Sequence, residues 1–196
     1  YRWLDNNRKL MAKLSSFKAA GSNILEQLAF NCTGDTMSNS FGTTMTAENV
    51  TAAQNGNTTT YTKVNGSEIA YTPPAAATRV IYEFRFQHGW HEGTHNIGHF
   101  KCYIGSTAVT RTYHTSGGYY REDELVMTNV IRIGSGLSDS DADATYASWT
   151  SDKTLSVYGR GYSTSNYWYK WNATQYSDGG GTDVFSGPSL ILTALQ

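Results

Sequence analysis

Residues 79–106 read RVIYEFRFQHGWHEGTHNIGHFKCYIGS and decide how this chain folds. Apolar and polar residues alternate along both ends of the stretch, which is typical of half-buried β-strands. The predicted inward residues are Val80, Tyr82, Phe84 and Phe86 in the first strand and Phe100, Cys102 and Ile104 in the second. The middle of the stretch, residues 89–98, contains three glycines and two histidines. The stretch therefore predicts a β-hairpin whose loop carries the histidines to a surface or a symmetry axis.

The same loop contains the H-E-x-x-H spacing of zinc proteases, from His91 to His95. In those enzymes the motif lies on a helix, because both histidines must face one side while the glutamate positions a water. Here Gly93 interrupts the motif and strand-like sequence flanks it. We therefore predict a loop without catalysis. A zinc hydrolase using His91, Glu92 and His95 is the enzymatic alternative, and His91, His95 and His99 are weak candidates for a non-catalytic metal.

The composition of the chain excludes several classes of partner. Of 196 residues, 16% are charged and the net charge is −1, so no basic stripe is available for nucleic acid or an anionic membrane. No apolar run has the length of a membrane span, and no cofactor-binding motif is present. We expect no nucleic-acid partner, no membrane insertion and no cofactor. The fourteen tyrosines are many for this length, and they fit a β-rich surface protein.

Beyond the decisive stretch, the chain from residue 21 onward predicts about ten short strands. Turn signals recur along it, including Asn55-Gly56, Asn65-Gly66 and Gly117-Gly118. No internal repeat points to a solenoid or a propeller. The expected fold is therefore all-β, an antiparallel jelly-roll or β-sandwich head formed by residues 21–196.

The first twenty residues differ in pattern from this head. Trp3, Leu10 and Phe17 lie seven residues apart, with Leu14 at the complementary heptad position. This stripe predicts a short helix that forms domain 1–20. It is either the end of a coiled-coil stalk or a helix docked on its own head. Asn7 lies in the same stripe and favours the coiled coil, because a buried asparagine often sets the register between chains.

Two smaller groups of residues leave alternatives open. Cys32 and Cys102 both lie in strand-like sequence, and they form either one disulfide or two buried free thiols. Asp139, Asp141 and Asp143 have the D-x-D-x-D spacing that begins a calcium loop. The later positions of an EF-hand are missing, so a solvated acidic loop is the default and these aspartates are only weak metal candidates.

Aromatic residues concentrate near the C-terminus, between Tyr158 and Tyr176. They predict a subunit interface first, core packing second and a glycan site third. The trimer-interface candidates are Trp3, Leu10, Leu14, Phe17, Tyr167, Tyr169 and Trp171. Ligand binding is expected from loops 87–98, 134–145 and 159–166. The ligand-binding candidates there are Trp90, His91, His95, Tyr162, Asn166 and Trp168.

Several short segments resemble known trimeric heads. Tyr71-Thr72-Pro73-Pro74, the strand from Arg79 and His99-Phe-Lys-Cys-Tyr-Ile are similar to the receptor-binding heads of viral and phage fibres. The segment Phe185-Ser186-Gly187, followed by Leu190-Ile191-Leu192, resembles the last strand of tumour necrosis factor-like and complement-type jelly rolls. The resemblance implies a homotrimer on a virion surface, with the last strand in the subunit core.

The expected function follows from that resemblance. It implies a non-catalytic fibre or spike head that attaches a virion to a host-cell surface receptor or glycan. A purely structural module for trimerisation or capsid decoration is the second alternative, beside the zinc hydrolase.

Overall fold

The computed structural model describes residues 23–90, 95–119, 123–163, 169–174 and 184–196, which contain strands and no helix. The predicted all-β head is thereby confirmed for these residues. The predicted helix and stalk, residues 1–20, lie outside them, as do Trp3, Leu10, Leu14 and Phe17. In the described ranges no helix is long and apolar enough to cross a membrane.

Seventeen strands occur in the described residues. They are β1 (Ile24–Asn31), β2 (Thr36–Ser38), β3 (Thr44–Thr46), β4 (Gln54–Asn55), β5 (Thr62–Lys63), β6 (Ile69–Tyr71), β7 (Arg79–Trp90), β8 (His95–Ile104), β9 (Thr107–Ala108), β10 (His114–Tyr119), β11 (Asp123–Ile133), β12 (Thr145–Tyr146), β13 (Lys153–Gly161), β14 (Tyr169–Trp171), β15 (Ala173–Thr174), β16 (Val184–Phe185) and β17 (Ser189–Leu195). Two large sheets hold most of them, and β2–β3 and β15–β16 form two small ladders.

The two large sheets have the strand order of a jelly roll. Sheet I runs β1-β17-β7-β11-β12, with β14 beside the end of β7 and β4 beyond it. Sheet II runs β10-β8-β13, followed by β5 and β6, with β9 beside β8. If β5 and β6 count as one strand and the other strands of two or three residues are left out, the chain has eight main strands. Those of sheet I, in the order β1, β17, β7 and β11, are the first, eighth, third and sixth along the chain. Sheet II then contains the second, seventh, fourth and fifth, which is the double Greek key of a jelly roll.

Strict alternation along the central strands builds the core. In β11 every second residue from Leu125 to Ile131 is buried, and in β7 the same holds from Val80 to His88. In β17 Leu190, Leu192 and Ala194 are fully buried between the neighbouring strands. Because successive strand residues point to opposite faces, this pattern leaves one face of each sheet for the core and one for the surface.

Aromatic rings from the two sheets meet in the middle of the sandwich. The ring of Phe86 in β7 lies 5.3 Å from that of Phe100 in β8, edge to face. Phe100 also contacts Trp171 of β14 at 5.9 Å. Each such buried ring stabilises the fold by roughly 1.5–3 kcal/mol relative to an exposed one. The sandwich is thus closed by aromatic contacts between strands that are distant in sequence.

The predicted hairpin of residues 79–106 is wrong in its pairing. Both strands form and bury the predicted residues, but β7 pairs with β11 and β17 in sheet I while β8 pairs with β10 and β13 in sheet II. The strands are also longer than predicted, because β7 extends to Trp90 and β8 begins at His95. His88, in particular, continues the inward face of β7 and is fully buried.

Two further expectations are settled inside the core. Cys32 and Cys102 are both free and buried, so the disulfide alternative is wrong in this fold. Trp171, proposed as a trimer-interface residue, is fully buried within one chain. It fills space between Phe100 and the backbone of Gly56 and Gly159, where an added Cβ would lie less than 3 Å from its ring. Trp171 is therefore a core residue and offers no surface to a partner.

Candidate functional site: the outward face of sheet II

The outward face of sheet II is rich in tyrosine and carries interleaved cations. The residues that form it are Tyr61, Tyr103, Tyr113, Tyr158, Tyr162, His99, Lys101 and Arg160, and we call them the tyrosine–cation surface. They come from β8, from β13 with the residue after it, and from the residues just before β5 and β10. In β8 and β13 they alternate with buried residues such as Phe100 and Val157, so the core packing of those strands holds them in place.

Each cation of this surface lies against an aromatic ring. The ammonium nitrogen of Lys101 is 4.8 Å from the ring centre of Tyr61 and 5.5 Å from that of Tyr113. The guanidinium carbon of Arg160 is 5.4 Å from the ring centre of Tyr61. Such contacts contribute about 0.5–1 kcal/mol at exposed sites. Tyr61 is therefore flanked by two positive charges.

Two of the tyrosines have hydroxyl groups whose ionisation is disfavoured. Burial raises the pKa of Tyr61, and a hydrogen bond from Arg160 acts in the opposite direction. Burial, followed by the neighbouring Tyr158, raises the pKa of Tyr103, whose ring centre lies 4.3 Å from that of Tyr158. Both phenols therefore remain protonated at neutral pH and can donate hydrogen bonds to a ligand.

His99 links the two most exposed tyrosines. Its ring stacks on Tyr113 with centres 5.8 Å apart, and the Tyr113 hydroxyl lies 2.8 Å from Nδ1. Thr115 Oγ1 lies 3.1 Å from the same nitrogen, and the ring of Tyr162 is 6.4 Å away. Burial, and then the charge of Arg160, lower the pKa of His99. The ring is therefore neutral near pH 7, and Nδ1 can accept a hydrogen bond from Tyr113.

The chemistry available on this face is that of recognition. Tyr113 is 52% exposed and Tyr162 is 57% exposed, so a ligand can reach their ring faces. Tyrosine offers an apolar ring and a polar hydroxyl, and it loses little conformational entropy on binding because its side chain has few rotatable bonds. Among the described residues no group of three histidine, cysteine or acidic side chains could hold a metal ion.

Comparisons with known proteins identify no family for this chain. No family model matches the sequence, and no curated protein matches it. Among solved structures, one similar chain is the C-terminal CBM6 of LamC, a marine laminarinase from Zobellia galactanivorans. It is 10% identical, with 86% of this chain and 99% of that chain covered, and the TM-score is 0.28. A likeness of this extent supports no conclusion, so the fold assignment rests on the strand order alone.

Of the residues predicted to bind ligand, Tyr162 lies in the tyrosine–cation surface, next to His99. For Trp90 at the end of β7 and His95 at the start of β8 the structure describes the backbone only. The same holds for Tyr169, an interface candidate in β14. The candidates outside the described residues are His91, Asn166, Trp168 and Tyr167.

The second histidine of the H-E-x-x-H stretch, His95, lies in a strand, and residues 91–94 lie outside the described residues. Trp90 ends β7, and His95 is the first residue of β8, where it pairs with Tyr119. A zinc protease needs helical backbone at this second histidine, and the backbone at His95 is strand. His99, the third histidine of the stretch, is held by Tyr113 and Thr115 as described above. The geometry that a zinc protease requires is absent from the described backbone.

The aspartates of the 134–145 loop serve the loop itself. Asp139 accepts a hydrogen bond from the backbone of Ala147, and Asp141 accepts one from the hydroxyl of Tyr146. Asp143 accepts one from Ser140 Oγ at 2.9 Å. The three carboxylates therefore have separate partners, which fits the default prediction of an acidic loop.

A groove with a volume of about 610 Å³ lies elsewhere on the molecule. Its walls include Phe41, Pro73, Pro74, Ile133 and Trp149, and they are mainly apolar. No local sequence pattern predicts this groove, because its walls come from four separate parts of the chain. Its volume falls within the range of small-molecule pockets.

Sequence reasoning also missed most of the tyrosine–cation surface. The signal was present at alternate positions along the chain. The outward residues of β8 are His99, Lys101 and Tyr103, and those of β13 are Tyr158 and Arg160, with Tyr162 directly after the strand. An ordinary solvent-facing strand carries threonine, serine or lysine at such positions. Bulky aromatic residues on the polar face of two strands that turn out to be neighbours were the available clue.

Proposed function

We propose that this chain is a non-catalytic attachment head that binds a glycan through the tyrosine–cation surface. The observation that carries the proposal is an exposed sheet face on which tyrosine rings alternate with Lys101 and Arg160. The ring faces suit the C–H faces of a sugar, while the hydroxyls and cations suit its oxygens. Paired strands hold most of these side chains in place, so ligand binding costs little conformational entropy.

We further propose that the head works as a homotrimer on a virion surface, as the tip of a fibre or spike, and that the glycan belongs to a host cell. The jelly-roll strand order and the sequence resemblance to fibre heads support this setting. Several modest sites on one particle would then multiply their affinities by avidity. A host-cell protein receptor, recognised by the same surface, is the alternative ligand.

The two other functions are less well supported. The zinc hydrolase needs a helical motif, and His95 begins a strand. The purely structural module needs no ligand, and it leaves the exposed rings of Tyr113 and Tyr162 unexplained.

The test is glycan binding by variants that remove one exposed ring. Tyr113→Ala and Tyr162→Ala should each weaken binding of a glycan found by array screening by about fivefold or more, as measured by calorimetry. Val130→Ala is the matched control, because Val130 is 50% exposed but lies on β11 of sheet I. It should leave the affinity unchanged.

Three results would count against the proposal. Equal losses in all three variants would show that the site lies elsewhere. No glycan hit, together with host attachment that free protein blocks, would favour the protein receptor. No hit and no block would favour the structural module.

A further inference from the structure

The positive charges on the outward face of sheet II are unequally compensated by nearby carboxylates. Lys63 pairs with Tyr158 in the register of β5 and β13, but its ammonium lies 3.4 Å from Glu68 and 3.9 Å from Glu48. Lys101 and Arg160 have no carboxylate within 4.0 Å among the residues that the structure describes. Their described neighbours include the rings of Tyr61 and Tyr113. Arg160 also donates to the carbonyl oxygen of Gly161 and to the hydroxyl of Tyr61, and it lies near His99.

The two uncompensated charges lie near the same ring. Both contact the ring of Tyr61, Lys101 at 4.8 Å and Arg160 at 5.4 Å. A negatively charged group bound beside that ring would meet two cations. Both side chains are half-buried, so their attraction for an anion is less screened than that of fully exposed cations. Guanidinium also presents paired N–H donors that match the oxygens of a carboxylate or a sulfate.

We propose that the glycan recognised by this surface is acidic and carries a carboxylate or a sulfate that binds between Lys101 and Arg160 beside Tyr61. This inference rests on the proposed glycan function and specifies its ligand class. The neighbouring rings of Tyr113 and Tyr162 would hold the uncharged part of the saccharide.

The number of cations argues against a nucleic acid as the ligand. A protein that binds a nucleic-acid backbone can make about six to ten contacts between basic side chains and phosphates. The described part of this face offers two uncompensated cations. The net charge of the chain is −1, so the attraction is local and does not come from a generally basic protein. An isolated acidic group among hydroxyls, as in an acidic saccharide, matches the arrangement better.

The test compares matched acidic and neutral polysaccharides. Polygalacturonate against its methyl ester isolates the carboxylate, and dextran sulfate against dextran isolates the sulfate. The unaltered chain should bind one acidic member at least about tenfold more tightly than its neutral partner, because hydrogen bonds to charged groups are the stronger ones. That preference should weaken as salt is raised.

Charge-removing variants locate the site. Lys101→Met and Arg160→Met keep much of the side-chain bulk, and each should reduce the acidic preference by roughly tenfold. Each should weaken binding of the neutral polymer by a smaller factor, because the cations also contact uncharged oxygens of the sugar. Arg160→Lys keeps the charge and should restore part of the preference. Lys63→Met is the matched control on the same face, since the charge of Lys63 is already compensated. It should leave the preference intact, and thermal unfolding should confirm that every variant folds.

The outcomes separate the two proposals. If the neutral polymers bind as tightly as the acidic ones and Tyr113→Ala still weakens binding, the acidic ligand is wrong and the glycan function stands. If no polymer binds, glycan recognition itself fails. If a single-stranded oligonucleotide or an acidic peptide binds more tightly than any acidic polysaccharide, the ligand class is wrong.

Discussion

His99 is the residue whose ionisation reports most directly on the tyrosine–cation surface. It faces Arg160 and Tyr162 from sheet II and Tyr113 from the segment before β10, with Lys101 next on its own face. Burial and then Arg160 lower its pKa below the ordinary 6.5. Protonation of His99 is therefore less favourable in the folded chain than in the unfolded chain. As a result, the free energy of unfolding is highest above pH 6.5 and decreases as the pH falls from 6.5 through the lowered pKa.

An NMR titration of the His99 ring checks this. We expect a midpoint below 6.5 in the unaltered chain and a higher midpoint in Arg160→Met, because one cation has been removed. Burial remains in the variant, so the return toward 6.5 should be partial. A midpoint that Arg160→Met leaves unchanged would show that the two side chains do not interact.

The cysteine thiols give a second prediction at the level of single residues. Burial raises the pKa of Cys32 and that of Cys102 to about 12 each, so neither is appreciably ionised at pH 8. In the folded chain neither should react with Ellman's reagent over an hour. After unfolding in guanidinium chloride two thiols per chain should react. Finding none after unfolding would reveal a disulfide and contradict the fold described here.

Gly159 is the third residue whose role can be tested. A Cβ there would lie 2.7 Å from Phe100 and 2.8 Å from Trp171, both buried in the core. We expect Gly159→Ala to lower the free energy of unfolding by about 1–3 kcal/mol, because those rings have little room to move. Gly136→Ala, where nothing lies within 4 Å, should change it by less than about 0.5 kcal/mol in urea unfolding.

Among the elements, β17 links the edge strand β1 to the centre of sheet I. Its inward Leu192 is fully buried, whereas the adjacent Ile191 faces outward and is half-buried. We expect Leu192→Ala to cost about 2–5 kcal/mol of unfolding free energy and Ile191→Ala about 1 kcal/mol or less. Similar costs measured by urea unfolding would show that the outward face of sheet I is covered in solution.

Strands could be predicted from sequence more reliably than their partners. The alternation of β7 and β8 identified the buried residues from Val80 to Phe86 and from Phe100 to Ile104. It did not reveal that the strands lie in opposite sheets, because both arrangements bury the same face of each strand. Glycines at 89, 93 and 98 then favoured a loop, whereas His88 continues the inward pattern in β7.

Fewer of the site residues could be predicted, for a related reason. Tyr61, Lys101 and Arg160 are separated by 40 or more residues, and they meet only because β13 lies between β8 and β5 in sheet II. No local pattern encodes that neighbourhood. Tyr162 was identified as a candidate from the aromatic composition of its segment alone.

At the scale of the whole molecule, the proposed homotrimer is the property that determines avidity. Light scattering coupled to size-exclusion chromatography should give about three times the chain mass of 21.6 kDa. A chain that lacks residues 1–20 provides the comparison, since it tests whether the proposed stalk is required. A monomer at micromolar concentration in the unshortened chain would contradict the fibre-head setting, although it would leave a monovalent glycan site possible.

The neighbouring positions of β1 and β17 have a consequence for engineering. The backbone nitrogen of Gln196 donates to the carbonyl oxygen of Asn23 at 2.7 Å, so the two ends of the described head touch. A short peptide can therefore join them without strain. New termini opened between Gly134 and Gly136, where the chain is partly exposed, would give a circular permutant with every ladder intact. Such a permutant could be fused to a carrier protein through residues 134–136 instead of through the ends of the described head.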